Sequence, residues 1–135
     1  MKIYLSCPYT SPDAKIIEKR VKQAQQAVDW LNATYFTGSN DENDGVLCPI
    51  VHTDIIANSF HIKDKDALTH EQWMRLDKIL LSNCNQLFVL QLDGWDNSKG
   101  VIEEIAYAKE LGMPIEYINP KQIGVANGYY CIQKR

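Results

Sequence analysis

The segment from residue 87 to residue 108 constrains the fold most, because it joins an apolar run to a helical pattern through a polar turn. Residues 87–90 (LFVL) have the length and composition of a buried strand. Residues 93–100 (DGWDNSKG) contain two glycines and are typical of a loop. Helical spacing follows the loop. In an open α/β sheet such a junction lies at the carboxyl edge of the strands, where ligands bind. We therefore expect the functional site here.

The rest of the chain alternates between strand and helix patterns. Residues 2–6 (KIYLS) predict the first strand by β-propensity. A helix follows, with Ser11 as its predicted cap and an end near Asn32. Its apolar positions recur at steps of four and three and form one buried face: Ile17, Val21, Ala24, Val28 and Leu31.

The remaining elements continue the alternation. We predict a second strand at 46–51, ended early by Pro49, and a long excursion at 52–65. Thr69 is the predicted cap of a helix at 68–83. The predicted buried stripe of that helix consists of Trp73, Leu76 and Leu80, with Met74 and Leu81 on its flank. Further strands are predicted at 85–92, 114–118 and 128–132, and a third helix at 99–111. This order predicts one α/β domain over residues 1–135, a doubly wound (flavodoxin/Rossmann-like) and mostly parallel sheet of about five strands.

Composition excludes several classes of partner. The net charge is −3, whereas a protein that binds a nucleic acid polymer would present a basic face. No apolar run approaches the length of a membrane span, and no signal peptide pattern is present, so we expect a cytoplasmic protein. The four cysteines form no CxxC pair, and the three histidines match no zinc spacing. We expect free thiols, no metal and no cofactor.

Two groups of residues carry the predicted chemistry. Ser98 and Gly100 begin a helix whose free backbone N–H groups suit an anion, although an ordinary capped helix start explains them equally well. Glu104 on that helix and Asp77 on the preceding one are candidates for a nucleophile and an acid that share a pocket. Solvated surface carboxylates are the alternative, and Glu103 is expected to face solvent.

Other side chains are predicted at the same edge. Tyr4, Tyr9 and Trp95 could stack on a planar base, with an ordinary sheet position as the alternative for Tyr4. The candidate site also includes three polar residues near strand ends: Ser6, Cys7 and His52. For His52, an exposed position on the surface is the alternative.

Three segments resemble the nucleoside 2-deoxyribosyltransferase-like superfamily, most closely its nucleotide N-hydrolase branch and related small bacterial and phage proteins of unassigned function. They are residues 2–8 (KIYLSCP), residues 75–77 (RLD) with Asn85 eight residues later, and residues 98–108 (SKGVIEEIAYA). The last is the most specific, since its Ser, Gly, Glu and Ala offsets all agree. The chain departs from the family pattern at Ser6–Pro8, at Asn85, at Ala106 and in the residues 93–95 that precede Ser98.

The resemblance implies roles for single residues. Glu104 would attack the anomeric carbon, Asp77 would orient or protonate the leaving base, and Tyr4 would lie near the nucleophile. Ser98 would favour a 5′-monophosphate, and the protein would form a dimer or higher homo-oligomer. We therefore expect cleavage or transfer at the N-glycosidic bond of a (deoxy)nucleoside or its 5′-monophosphate. The alternative is a non-catalytic nucleotide-binding module on the same fold.

Overall fold

The computed structural model describes residues 1–51 and 69–124. Its strands are β1 (Lys2–Ser6), β2 (Gly45–Leu47), β3 (Gln86–Leu90) and β4 (Ile115–Ile118). Its longer helices are α1 (Ala14–Tyr35), α2 (His70–Ser82) and α3 (Lys99–Glu110). Single 3₁₀ turns occur at Trp95–Asn97 and Pro120–Ile123. The predicted strand at 128–132 and the excursion at 52–65 lie outside the described residues.

The four strands form one parallel sheet in the order β2-β1-β3-β4. The order reverses at β1, because β2 lies on one side of it and β3 on the other. This reversal opens a crevice at the carboxyl ends of β1 and β3, the usual ligand position in a doubly wound sheet. The predicted α/β class and Rossmann-like winding are confirmed.

Each face of the sheet has its own apolar core. Side chains alternate along a strand, so Ile3 and Leu5 pack against α1 on one face. Tyr4 faces the other way and packs with residues of α2 and α3, including Leu81 and Val101. The helices that carry Asp77 and Glu104 therefore cover the same face.

The predictions for the end of the second strand and for the cap of α1 are wrong. The second strand ends at Leu47, and residues 49–51 are helical, since proline cannot donate to a sheet ladder but fits a first helical turn. Asp13, not Ser11, caps α1, and its side chain accepts a hydrogen bond from the amide of Lys15. In contrast, Thr69 caps α2 as predicted, in a reciprocal capping box with Gln72.

The buried face of α2 also differs from the prediction. Met74 and Leu81 are buried, whereas Leu76 and Leu80 are exposed. The stripe that faces the sheet passes through Asp77, which is half-buried. Because successive residues are about 100° apart around a helix, turning Asp77 inward turns Leu76 outward. Among the described residues, no helix is both long enough and apolar enough to span a membrane.

Candidate active site

Glu104 occupies the floor of a cleft at the carboxyl edge of the sheet. It lies in the second turn of α3, and only 6% of its surface is exposed. Both of its carboxylate oxygens accept hydrogen bonds from β1. The Tyr4 hydroxyl donates to Oε2, and Ser6 Oγ donates to Oε1 over 2.7 Å. Tyr4 and Ser6 can reach the same group because residues two apart on a strand share a face.

Burial governs the electrostatics of this carboxyl group. It raises the pKa of Glu104 to about 7, against the opposing effect of the hydrogen bonds from Tyr4 and Ser6. The negative charge of Asp77 raises it further. Burial, and then the charge of Glu104, raise the pKa of the Tyr4 phenol well above its ordinary value, so Tyr4 remains a hydrogen-bond donor.

Asp77 is the second carboxyl group of the cleft. Burial raises its pKa to about 6, and the nearby His70 opposes the rise. Two carboxyl groups with raised pKa values in one cleft are a common feature of sites that need an acid and a base or nucleophile.

The cleft has a volume of about 580 Å³, within the range of small-molecule sites. Its walls come from four parts of the fold, one of which is the pair Pro49 and Ile50 just after β2. Residues at the end of β1 and in the loop after it form one side: Ser6, Cys7, Tyr9 and Thr10. The face of α2 supplies His70, Trp73, Met74 and Asp77. The start of α3 supplies Asn97, Ser98, Lys99 and Gly100, with Glu104 behind them.

Ser98 is the cap of α3, and its Oγ accepts a hydrogen bond from the amide of Val101 over 3.4 Å. The same residue lines the cleft. Gly100 also lines it, and a Cβ placed there would make ordinary contact with Met74 Sδ at 3.9 Å. Ser98 therefore acts as an ordinary cap while it also faces the predicted ligand space.

Cys7 is buried, and its thiol forms a hydrogen bond with Cys48. This bond, followed by burial, raises the pKa of Cys7 well above its ordinary value. A raised pKa disfavours the thiolate, which is the reactive form. Cys7 thus contributes to the wall of the cleft as a neutral thiol.

The remaining predicted site residues have different positions. Tyr4 lies beneath the cleft and reaches it through its bond to Glu104. Trp95 packs against Tyr117, with 5.6 Å between ring centroids, and is not among the lining residues. His52 lies outside the described residues.

Sequence reasoning missed several lining residues, chiefly His70, Trp73, Met74 and Lys99. The first three precede Asp77 by seven, four and three positions, so they share its face of the helix. Counting back from Asp77 at helical spacing would have identified them. Lys99 directly follows the predicted cap.

Arg20, the arginine nearest to the first loop in sequence, anchors two loops through hydrogen bonds to their carbonyl groups. Its guanidinium donates to the carbonyl of Thr10 at 2.9 Å and of Tyr9 at 3.4 Å, and across the sheet to the carbonyl of Asp93 at 2.9 Å. It borders a separate cleft beside α1. No group of three or more metal-ligating side chains occurs within residues 1–51 and 69–124.

Comparison with known protein families assigns the chain to one of them. The profile of the domain of unknown function DUF1937 matches residues 1–119. The chain belongs to this family. The matched region contains all the strands and helices β1 to β4 and α1 to α3, and every lining residue named above. No curated protein matches the DUF1937 chain.

Proposed function

We propose that this DUF1937 protein cleaves or transfers at the N-glycosidic bond of a (deoxy)nucleoside or its 5′-monophosphate, with Glu104 as nucleophile. The observation that carries the proposal is the buried Glu104 carboxyl group, held at both oxygens by Tyr4 and Ser6 on the floor of a cleft that Asp77 also lines. A surface carboxylate would have neither the burial nor the two fixed donors.

The resemblance to the nucleoside 2-deoxyribosyltransferase-like superfamily supports the same roles. In that superfamily a glutamate at the position of Glu104 attacks the anomeric carbon, and an aspartate at the position of Asp77 orients or protonates the leaving base. The two positions are 27 residues apart in sequence and belong to different helices. Their convergence on one cleft is what such a mechanism requires.

The proposed reaction has two steps. Ionised Glu104 attacks C1′ of the sugar, a C–O bond forms, and the C–N bond to the base breaks. The departing base takes its electron pair and receives a proton from Asp77. Water then attacks C1′ in hydrolysis, or a ring nitrogen of a second base does so in transfer; the bond between C1′ and Glu104 breaks, and the proton of the attacking group passes to ionised Asp77. The Tyr4 and Ser6 hydroxyls keep the carboxylate oriented toward C1′.

The experiment is a panel of deoxynucleosides, ribonucleosides and their 5′-monophosphates, with free base measured by chromatography. We expect base release by the parent protein and a loss of at least about 10³-fold with Glu104→Gln. Glu110→Gln is the matched control, since it removes the same charge from an exposed position on the same helix.

Base release that persists in Glu104→Gln would refute the role of Glu104 as the nucleophile. Saturable binding of these ligands by both proteins without any release would favour the non-catalytic nucleotide-binding module instead. Adding a second free base during the assay distinguishes transfer from hydrolysis.

A further inference from the structure

Helix α2 presents a patterned stripe to the cleft. His70, Trp73, Met74 and Asp77 all line it, at the spacing of one helix face. The two ends of the stripe are polar, and the middle is aromatic and apolar. With about 1.5 Å rise per residue, the polar ends are about 10 Å apart along the helix axis. A flat heterocycle with polar edges fits such a surface, because its face packs on apolar groups while its edge forms hydrogen bonds.

The His70 ring is held by a residue of the neighbouring helix. Its Nε2 lies 3.0 Å from Glu103 Oε1, and both side chains are partly exposed. A carboxylate can only accept, so a ring with one proton carries it on Nε2. Nδ1 is then an acceptor. Within the described part of the chain, no hydrogen bond to Nδ1 is formed.

We propose that His70 determines base specificity by accepting, at Nδ1, a hydrogen bond from an amino group on the edge of the nucleobase. Glu103 is a positioning residue that fixes the ring and its tautomer. The proposal rests on the proposed function in one respect, since it takes the α2 wall, which carries Asp77, as the base side of the cleft. The favoured substrates are nucleosides of adenine or cytosine over those of hypoxanthine or uracil, which carry a carbonyl in place of the amino group.

Equilibrium binding tests this directly. Calorimetry on Glu104→Gln, at slightly alkaline pH, compares deoxyadenosine with deoxyinosine and deoxycytidine with deoxyuridine, each also as its 5′-monophosphate. We expect the amino member of each pair to bind about 3- to 10-fold more tightly, the size of one partly exposed hydrogen bond.

Variants of His70 and Glu103 show which side chain causes the preference for the amino-bearing ligand. Adding His70→Phe to the Glu104→Gln protein should remove the preference, because it should weaken the binding of only the amino-bearing ligand in each pair. His70→Gln should keep part of it, because a glutamine carbonyl also accepts. Glu103→Gln should reduce it, since an amide no longer forces the ring proton onto Nε2. Glu110→Gln, which removes a charge elsewhere on α3, should leave the preference unchanged.

The outcomes separate this inference from the proposed function. Equal affinity within the pairs, no binding of any probe, or a preference that survives His70→Phe would overturn the role of His70, whether or not base is released. A preference lost in His70→Phe, together with no base release by the parent protein, would refute the glycosidic activity and retain the inference. Circular dichroism checks folding, and if His70→Phe does not fold, the response of Glu103→Gln decides.

Discussion

Glu104 combines burial with a proposed role that needs ionisation, and these two properties oppose each other. Removing a carboxylate from water disfavours its charged form, and the bonds from Tyr4 and Ser6 recover only part of that cost. The resulting pKa of about 7 keeps the proposed nucleophile partly ionised at neutral pH. Stability and activity should therefore both depend on pH, in part through this residue.

Stability should change with pH in a defined window. The native pKa of Glu104 lies above its ordinary value of 4.5, so the folded state binds more protons between about pH 4.5 and about pH 7. The free energy of unfolding should fall as pH rises through this window. Glu104→Gln lacks this loss, so its stability relative to the parent protein should rise by on the order of 3 kcal/mol between about pH 4 and about pH 8.

Urea unfolding at about pH 4 and about pH 8 measures the effect, with Glu110→Gln as the control. A stability difference between Glu104→Gln and the parent that is equal at both pH values would contradict the raised pKa.

Activity should give a narrow bell-shaped pH profile. The proposed reaction needs ionised Glu104 and a proton on Asp77. Glu104 titrates near 7 and Asp77 near 6, so a minority of molecules carries both forms at once, and their number is greatest between these two values. We expect kcat/KM to be maximal between about pH 6 and about pH 7. Asp77→Asn should lower kcat by about 10²-fold or more and remove the alkaline limb, so that only the ionisation of Glu104 shapes the profile. A full bell retained in Asp77→Asn would argue against its role as the acid.

At the scale of elements, Arg20 links the two loops that follow β1 and β3. Its side chain extends from α1 and donates hydrogen bonds to the carbonyls of Thr10 and Asp93. The loops after β1 and β3 are therefore both anchored to one side chain. Gly94 permits this approach. Its φ is +87°, and a Cβ there would lie only 3.0 Å from Arg20 Nη2.

A pair of glycine substitutions isolates this contact. Gly38 also has a positive φ, +78°, but its Cβ would meet nothing within 4 Å. Both Gly→Ala changes should lose about 1 kcal/mol from backbone strain, and Gly94→Ala should lose more because it displaces the guanidinium. Urea unfolding of the two variants measures the difference. Equal losses would show that the anchor adds nothing to stability.

The elements were largely predictable because their signals are local. The 3.6-residue period of α1, the capping residue of α2 and the apolar run of β3 all lie within short windows, and each element is present. The stripe of α2 was wrong for a non-local reason. Its sequence contains apolar residues on more than one face, and only packing against the sheet selects Met74 over Leu76.

The candidate site was predictable in part because some of its signals are also local. Ser98 and Glu104 belong to one local motif, and Ser6 lies at a strand end that topology brings to the same edge. His70 and Trp73 were missed as lining residues because the rotation of α2 about its axis was inferred from its apolar residues and not from Asp77. Trp95, by contrast, is in the expected loop but turns toward Tyr117.

At the scale of the whole molecule, the exposed apolar residues on α2 and α3 bear on the expected homo-oligomer. Leu76, Ile79 and Ile102 are 47%, 59% and 50% exposed on the helices that cover one face of the sheet. Apolar side chains in such numbers on neighbouring helices are typical of surfaces that associate. We expect sedimentation to give a dimer or larger species.

Ile79→Glu combined with Ile102→Glu should shift the protein to monomer, because charge is disfavoured in an apolar interface. The control is Ile16→Glu, a comparably exposed position on α1 at the opposite face. A monomeric parent protein, or dissociation by the control alone, would contradict the expectation.

The bond between Tyr4 and Glu104 joins residues 100 positions apart. During synthesis, the first strand leaves the ribosome long before the carboxylate that completes the cleft has been added, and contacts of such separation form late. In a refolding experiment, the proposed activity should consequently return later than the helical signal, and a chain halted ahead of α3 should lack that activity however much of its sheet has assembled.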